Sequence, residues 1–257
     1  MCADHLLKPQ NGSNCMMKFF DYNLTTDISD IHFVGHSGQR PLVVDCLNPH
    51  SFVMAQSDSA FHHALTTCDV LLPDGIGVCM ALKRWKGEKV NKIAGDDFHR
   101  QVIAEAASKN GRLFYLGSTP GVLQRIEQRL AAEHPSIRVM TWSPTFSQEM
   151  SDTENDALIG LIRSFAPNVL LIGLGAPKQE KWIERNRTRL SAIDTVAAIG
   201  GAFEFYAGTI RRASPLGIRL HLEWLVRFLH EPKRMWRRNM VSAPRFLRYT
   251  RRHRKEM

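Results

Sequence analysis

The sequence predicts an α/β fold, in which helices cover both faces of a doubly wound, mostly parallel sheet. Apolar, β-branched runs recur along the chain, and segments of helical length separate them. Such alternation is typical of βαβ units, which place their strands in parallel. The nearly continuous apolar run at 169–174 predicts a central strand that is buried on both faces. At 257 residues, the chain is long enough to form a core without disulfides.

The apolar runs predict six strands, at 42–47, 69–73, 112–116, 137–142, 169–174 and 195–199. The segments beside them predict six helices, at 51–66, 76–86, 97–109, 121–133, 153–165 and 178–190. Asp96, Thr119 and Ser151 or Asp152 are expected to start helices, since their side chains accept hydrogen bonds from the first free N–H groups. Gly111 is expected to end one.

Composition divides the chain into three regions. Residues 1–40 are polar and weakly periodic, and we expect a flexible start followed by a hairpin or a short edge strand. Residues 41–208 carry the α/β pattern. Residues 209–257 form a basic appendage, in which the apolar period predicts an amphipathic helix at 216–229. Its apolar stripe consists of Ile218, Leu222, Leu225 and Leu229.

The positive charge is concentrated in the appendage. The chain has a net charge of +9, but residues 211–257 hold fourteen lysines and arginines against three glutamates, and the rest has a net charge of −2. A tail of this kind predicts an anionic partner, which is a nucleic acid, an anionic bilayer or a diphosphate group. The alternative is a basic face that meets only solvent.

Several classes of protein are disfavoured by the sequence. It contains no apolar run of eighteen residues and no basic, then apolar, leader of the signal-peptide kind. We therefore expect a protein that stays in the cytoplasm. Five cysteines without a Cys-x-x-Cys pair, and eleven histidines without a His-Glu-x-x-His motif, disfavour a disulfide framework and a metal site. No metal ligand is assigned.

Two polar side chains follow predicted strands, where ligands bind in open α/β sheets. Asp74 lies in the segment Leu-Pro-Asp-Gly-Ile-Gly, and its carboxylate is suited to take a proton from a sugar hydroxyl. Asn48 follows the first strand of the regular pattern, and its amide is suited to bind a sugar hydroxyl. The alternative for each side chain is that it caps the helix that follows.

Two glycine-containing loops also follow predicted strands. Gly175 would let a ligand approach the backbone, and the free N–H groups of the next helix favour a phosphate. Gln179 is placed to hydrogen-bond a sugar or a base. Gly200 and Gly201 likewise allow close approach after the last strand. The alternative for the first loop is an ordinary strand-to-helix turn, and the alternative for the second is a tight turn at the end of its strand.

These motifs, in their order along the chain, resemble the WecG/TagA/CpsF family of bacterial glycosyltransferases over roughly 41–240. They are Asn48 with Ser51, Leu-Pro-Asp-Gly-Ile-Gly at 72–77, Ala-Gly-Asp-Asp at 94–97, Phe-Tyr-Leu-Gly at 114–117, Gly-Leu-Gly-Ala-Pro-Lys-Gln-Glu at 173–180, Gly-Gly-Ala-Phe at 200–203, Arg-Ala-Ser-Pro at 212–215, Leu-Glu-Trp-Leu-Val-Arg at 222–227 and Glu-Pro-Lys-Arg at 231–234. The resemblance implies a Rossmann-like fold with a C-terminal appendage. It also implies inverting transfer of a sugar from a UDP-sugar to an undecaprenyl-diphosphate-linked saccharide, in the synthesis of cell-surface polysaccharide.

The resemblance also assigns roles to residues. Asp74 matches the proposed base, and Asn48 and Gln179 match substrate-binding positions. Lys92 stands where family members commonly have an arginine. Three appendage arginines match residues thought to meet the acceptor diphosphate; they are Arg227, Arg234 and Arg237.

The implied enzyme uses no cofactor, and the absence of an Asp-x-Asp pair predicts a metal-independent reaction. Its partners would be a UDP-sugar, the lipid-diphosphate acceptor and an anionic membrane surface on the inner face of the plasma membrane, with no nucleic acid. The sequence leaves a homo-oligomer, the donor sugar and the acceptor glycan open. Two alternatives rest on weaker features. A nicotinamide oxidoreductase would use the incomplete Gly-x-Gly-x-x-Gly, which has Met80 in place of its third glycine, and a nucleic-acid-binding protein would use the basic tail.

Overall fold

A computed structural model describes residues 16–35, 40–144, 150–210, 228 and 232–256. The strands are β1 (Met16–Phe19), β2 (Tyr22–Thr25), β3 (Leu42–Leu47), β4 (Val70–Pro73), β5 (Arg112–Gly117), β6 (Arg138–Trp142), β7 (Val169–Gly173) and β8 (Thr195–Ala198). The helices are α1 (Pro49–Ala55), α2 (Ser59–Thr67), α3 (Ile76–Lys86), α4 (Gly95–Ser108), α5 (Pro120–Glu133), α6 (Asp152–Phe165), α7 (Lys178–Asn186), α8 (Ala202–Tyr206), α9 (Pro232–Trp236) and α10 (Ala243–Arg252). A 3₁₀ turn follows α7 at Arg187–Leu190, and a π-helical turn at Arg237–Ser242 joins α9 to α10.

Strands β3 to β8 form one parallel sheet in the order β4-β3-β8-β7-β5-β6. Successive residues of a strand point to opposite faces, so Val43 and Val44 of β3 enter two different apolar clusters. Strand β7 lies between β8 and β5, and its residues 169–172 are fully buried. The predicted α/β, Rossmann-like fold and the predicted central strand are both confirmed.

The expected hairpin near the N-terminus is β1 with β2, an antiparallel pair separate from the main sheet. Phe19, Tyr22 and Leu24 bury their side chains in an apolar cluster with Phe52 of α1. Phe246 of α10 belongs to the same cluster, and its ring lies 5.3 Å from that of Phe52. The described part of the appendage therefore packs directly on α1 and the hairpin.

Two expectations about helices are wrong. The predicted helix 51–66 is two helices, because Asp58 breaks the run and accepts the Phe61 N–H at 3.0 Å as the cap of α2. Asp96 does not start a helix, since α4 begins at Gly95 and Asp97 instead accepts the Ala94 N–H at 3.1 Å. The caps expected at positions 119 and 151 are confirmed. The predicted helix 178–190 continues beyond Asn186 only as the 3₁₀ turn.

The amphipathic helix expected at 216–229 lies outside the described residues, except for position 228. In the part of the chain that is described, no helix combines the length and apolar character needed to cross a membrane.

Candidate active site

A cavity of about 400 Å³ opens at the carboxyl edge of the sheet. Its walls come from the segments that follow β3, β4, β7 and β8, from the start of α4 and from the π-helical turn. This edge is the usual ligand position in open parallel sheets, because strand ends and helix starts meet there. The cavity brings together these predicted site residues: Asn48, Asp74, Gly175, Gln179, Gly200, Gly201 and Arg237.

The other predicted site residues lie elsewhere. Lys92 does not line the cavity. Burial raises the pKa of the Cys79 thiol, and the charge of Lys92 opposes this rise whereas that of Asp74 adds to it. Arg227 lies outside the described residues, and so does the side chain of Arg234. Their assignments stay predictions.

Asp74 follows β4 and does not cap α3. Its backbone N–H donates to the carbonyl oxygen of Leu47 at 3.0 Å, which anchors the loop to the end of β3. The cap position of α3 is Gly75, which has a φ of +97° and gives no side-chain capping bond. The capping alternative for Asp74 is therefore wrong, and its half-buried carboxyl group borders the cavity.

Asn48 does cap a helix, as its alternative predicted. Its Oδ1 accepts the N–H groups of His50 and Ser51 at 3.0 and 3.1 Å, and Ser51 Oγ accepts the Asn48 N–H at 2.8 Å. The side-chain amide nitrogen takes no part in this cap. Because Asn48 also lines the cavity, that nitrogen is the group with which it can meet a ligand.

Gln179 joins the two glycine-containing loops. Its Oε1 accepts the Gly175 N–H at 3.1 Å, and its Nε2 donates to Glu180 Oε1 at 2.9 Å. Gly200 has a φ of +48° and packs over this amide, so that a methyl group at position 200 would lie 3.6 Å from Gln179 Oε1. The side chain is only 4% exposed, and it organises the wall that it lines.

The first turn of α7 borders the same wall without a side-chain cap. Pro177 occupies the cap position, and Gly175 precedes it with a φ of +80°, which favours glycine. The Gln179 N–H donates to the Gly175 carbonyl oxygen at 3.2 Å, so this helix start offers a ligand chiefly the positive end of the helix dipole. The cavity therefore has a wall that is suited to bind an anion.

Sequence reasoning missed the acids around this wall. Asp45 and Glu180 are each 2% exposed, and Glu180 lines the cavity. Burial raises the pKa of Glu180 to about 7, against an opposing hydrogen bond from Gln179. Burial also raises the pKa of Asp45 well above its usual range, and the Glu180 charge raises it further while Arg187 opposes the rise. The sequence does contain a feature that could have indicated Asp45, since it is the single acid inside the apolar run at 42–47.

Arg237 and Arg238 form the basic side of the cavity. Both lie on the π-helical turn, which a contact of 2.8 Å between His50 Nδ1 and Ser242 Oγ ties to α1. Arg238 belongs to the basic tail for which the sequence predicts an anionic partner, but the assignment to the acceptor diphosphate included only its neighbour Arg237. The cavity thus has guanidinium groups on one side and the start of α7 on another.

Among the described residues, no group of three or more histidines, cysteines or acids is arranged to hold a metal ion. Metal independence stays a prediction.

Comparison with known proteins agrees with this architecture. The sequence model of the glycosyl transferase WecG/TagA/CpsF family matches residues 21–257. A relative from Bacillus spizizenii (strain ATCC 23059 / NRRL B-14472 / W23) is 28% identical over 231 residues, which cover 90% of this chain and 87% of the relative. A Bacillus subtilis (strain 168) relative is also 28% identical, with coverage of 89% and 86%. A Staphylococcus aureus (strain MW2) relative is 26% identical, with 88% of each chain covered.

All three relatives carry the name N-acetylglucosaminyldiphosphoundecaprenol N-acetyl-beta-D-mannosaminyltransferase. The family match extends from the N-terminal hairpin through the appendage, so it includes every element that lines the cavity. The resemblance inferred from the ordered motifs is confirmed, and the enzyme class is that of a glycosyltransferase. The chain belongs to the WecG/TagA/CpsF family of glycosyl transferases.

Proposed function

We propose that this glycosyltransferase moves a sugar from a UDP-sugar to an undecaprenyl-diphosphate-linked saccharide, with inversion at the anomeric carbon, during the synthesis of a cell-surface polysaccharide. The relatives' name makes an N-acetylglucosaminyl acceptor and an N-acetylmannosaminyl donor group the first substrates to test. One observation carries the proposal. Asp74, the uncapped start of α7 and two arginines all border one cavity.

Asp74 supplies the base in this proposal. As the acceptor hydroxyl oxygen attacks the anomeric carbon, its proton passes to the Asp74 carboxylate. The new glycosidic bond forms while the bond from the anomeric carbon to the diphosphate oxygen breaks, and UDP leaves with that electron pair. Attack from the face opposite the leaving group inverts the configuration. Support comes from the position of Asp74 at a strand end, where it makes no helix cap.

The donor diphosphate binds at the first turn of α7. Gly175, Gly200 and Gly201 allow the backbone to approach it closely, and the helix start stabilises the charge that develops on leaving UDP. Gln179 holds the Gly175 N–H in place and so organises the wall against which the donor binds. This arrangement supplies charge stabilisation from the protein alone, and we propose that the reaction needs no metal and no cofactor.

The acceptor diphosphate binds at the basic side of the cavity. Guanidinium groups match phosphate oxygens in pairs, and Arg237 lines the cavity next to Arg238. Arg227 and Arg234 extend this set on the strength of the family resemblance. Lys92 does not line the cavity, but its charge, like that of Asp74, influences the Cys79 thiol of α3, so we assign it an electrostatic influence on the donor side.

We propose that the C-terminal helices hold the enzyme on the anionic inner face of the plasma membrane. Trp236, Met240 and Leu247 are large apolar side chains exposed on these helices. The end of the chain also carries a basic cleft, lined by Arg248, Arg251, Arg252, Arg254 and Lys255. Exposed aromatic and apolar groups beside basic ones suit a membrane interface. No nucleic acid is required to account for the charge.

A transfer assay tests the function. The purified enzyme is incubated with UDP-N-acetylmannosamine, UDP-N-acetylglucosamine, UDP-glucose or UDP-glucuronic acid and a short-chain N-acetylglucosaminyl-diphospholipid, and the products are weighed by mass spectrometry. We expect one UDP-sugar to give a product heavier by one sugar residue. The matched control acceptor carries a monophosphate and should react poorly. Absence of transfer from every UDP-sugar would contradict the proposal.

A further inference from the structure

Two carboxyl groups are buried at the α7 wall of the cavity. Asp45 belongs to β3 and shares a strand face with Val43, which packs in the cluster that contains Trp182 and Ile183 of α7. Glu180 lies in the first turn of α7. Both residues are 2% exposed, and within the described residues neither Asp45 Oδ1 nor Glu180 Oε2 has a hydrogen-bond partner.

The surroundings do not compensate two negative charges. The titratable and charged groups that act on the pair come from β3, from the residue after α2 and from the end of α7; they are Cys46, Cys68, Glu184 and Arg187. Arg187 is shared, since its Nε lies 3.4 Å from Glu184 Oε2 and its guanidinium also donates to the Thr67 carbonyl oxygen at 3.0 Å. The cavity into which Glu180 faces is also lined by titratable and charged groups of other elements; they are His50, Asp74, Asp96, Arg237 and Arg238. Ionising both acids at so buried a place is costly, so the pair keeps a proton.

Glu180 is also connected to the donor wall. Its Oε1 accepts the Gln179 amide, which in turn holds the Gly175 N–H. This oxygen accepts a hydrogen bond whether Glu180 is neutral or charged. Protonation therefore changes the charge of the first turn of α7 without removing the support for Gln179.

We propose that Glu180 is a positioning residue of the donor site, which in its protonated form beside Asp45 leaves the start of α7 free of negative charge while Gln179 is held against Gly175. The inference rests on the proposed UDP-sugar donor. Ionised Glu180 would place a negative charge beside the donor diphosphate and oppose its binding. Since burial raises the pKa of Glu180 to about 7, donor affinity should be highest below pH 7 and should fall as the pH rises above it.

The test is the binding of UDP-N-acetylmannosamine, whose diphosphate keeps a constant charge over this range, measured by calorimetry from pH 6 to pH 9. We expect the wild-type dissociation constant to rise by about tenfold across this range, which corresponds to one pKa unit of coupling. Glu180→Gln is neutral at every pH and keeps the Oε1 acceptor, so its affinity should stay near the wild-type value at pH 6. Glu180→Ala removes the acceptor and should bind more weakly at every pH. Glu88→Gln, a matched change at an exposed position outside the cavity, should keep the wild-type pH dependence.

An infrared difference spectrum between pH 6 and pH 9 checks the proton without any ligand. The wild type should lose a protonated carboxyl band that Glu180→Gln lacks. A wild-type protein that binds the UDP-sugar equally at all pH values, or a Glu180→Gln protein that loses affinity as the wild type does, would overturn this inference and leave the transferase function intact. A wild type that binds no UDP-sugar at any pH would overturn the proposed donor and this inference together.

Discussion

Gly77 packs against the ring of Pro49 so closely that a methyl group at position 77 would lie 2.5 Å from Pro49 Cγ. This contact joins the starts of α3 and α1, and it sets the distance between the loops that carry Asp74 and Asn48. Gly75 adds to the same junction, since a side chain there would meet Asn48 Cβ at 3.6 Å. In the Asp-Gly-Ile-Gly segment, Gly77 thus allows the close packing against Pro49, and Gly75 allows the turn with positive φ.

Gly77→Ala should push the two helix starts apart. We expect a loss of about 1–3 kcal/mol in the free energy of unfolding, together with reduced transfer, because the added methyl group meets a rigid ring. Gly160→Ala is the matched control, as position 160 is exposed on α6 with no atom within 4 Å of the added carbon. It should be neutral or slightly stabilising. Equal stabilities of the two variants in urea unfolding would argue against the tight junction.

Asp74→Asn should remove the proposed base while keeping the shape of the loop. We expect turnover to fall by roughly 10²–10⁴-fold. Thermal stability should hardly change, because Asp74 makes no capping hydrogen bond to α3. Steady-state transfer kinetics and a melting curve on the same preparation check both points. A folded variant with near-wild-type turnover would refute the base assignment.

Gln179→Ala should loosen the donor wall. The change leaves the Gly175 N–H and Glu180 Oε1 without their partner, and we expect a cost of about 1–3 kcal/mol in stability and weaker binding of UDP-sugars. Gln128→Ala, on the exposed side of α5, controls for loss of a glutamine and should bind as the wild type does. If Gln179→Ala binds UDP-sugars with unchanged affinity and has unchanged turnover, the loop is only an ordinary strand-to-helix turn.

The arginines of the C-terminal helices should separate into two classes. Arg237 and Arg238 border the cavity. Replacing either with alanine should therefore lower turnover on a diphospholipid acceptor, while binding to anionic vesicles persists. A triple alanine variant at positions 248, 251 and 252 should weaken vesicle binding by about 3 kcal/mol, at roughly 1 kcal/mol per basic residue. Sedimentation with anionic and neutral vesicles distinguishes the classes.

Point variants are preferable to deletion of the whole appendage. Phe246 is buried against Phe52 and Phe19, so removal of α10 would expose part of the core. Loss of vesicle binding by the cavity variants, or full retention by the triple variant, would contradict the division of roles.

Chelation should leave the reaction unchanged. The proposed charge stabilisation comes from arginines and the start of α7, and the sequence has no Asp-x-Asp pair. Transfer is measured with EDTA, and again after manganese or magnesium is added back. Activity that EDTA abolishes and either metal restores would show that the prediction is wrong.

The pattern of neighbouring residues was enough to predict many elements of the fold. The bounds of β3 and α3 were predicted to the residue, because a β-branched apolar run and an amphipathic period are properties of neighbouring positions. The ordered motifs also predicted residues that the cavity brings together, including Asp74 and Gln179. Each of these follows a strand, and parallel strands must end at one edge of their sheet.

Other features depend on contacts between positions far apart in the chain. The break at Asp58 is the exception, since its carboxylate caps α2 through the Phe61 N–H only three positions away, but the apolar period continues across it. The coupling of Asp45 with Glu180 spans 135 positions and required α7 to pack on the sheet face that Asp45 shares with Val43. Hydrophobic periodicity reports which face of an element is buried, but it does not report which other element covers that face. The sequence by itself therefore determined the elements and their order along the chain, whereas only tertiary packing decided which buried charges meet, since their cost depends on the groups that exclude water around them.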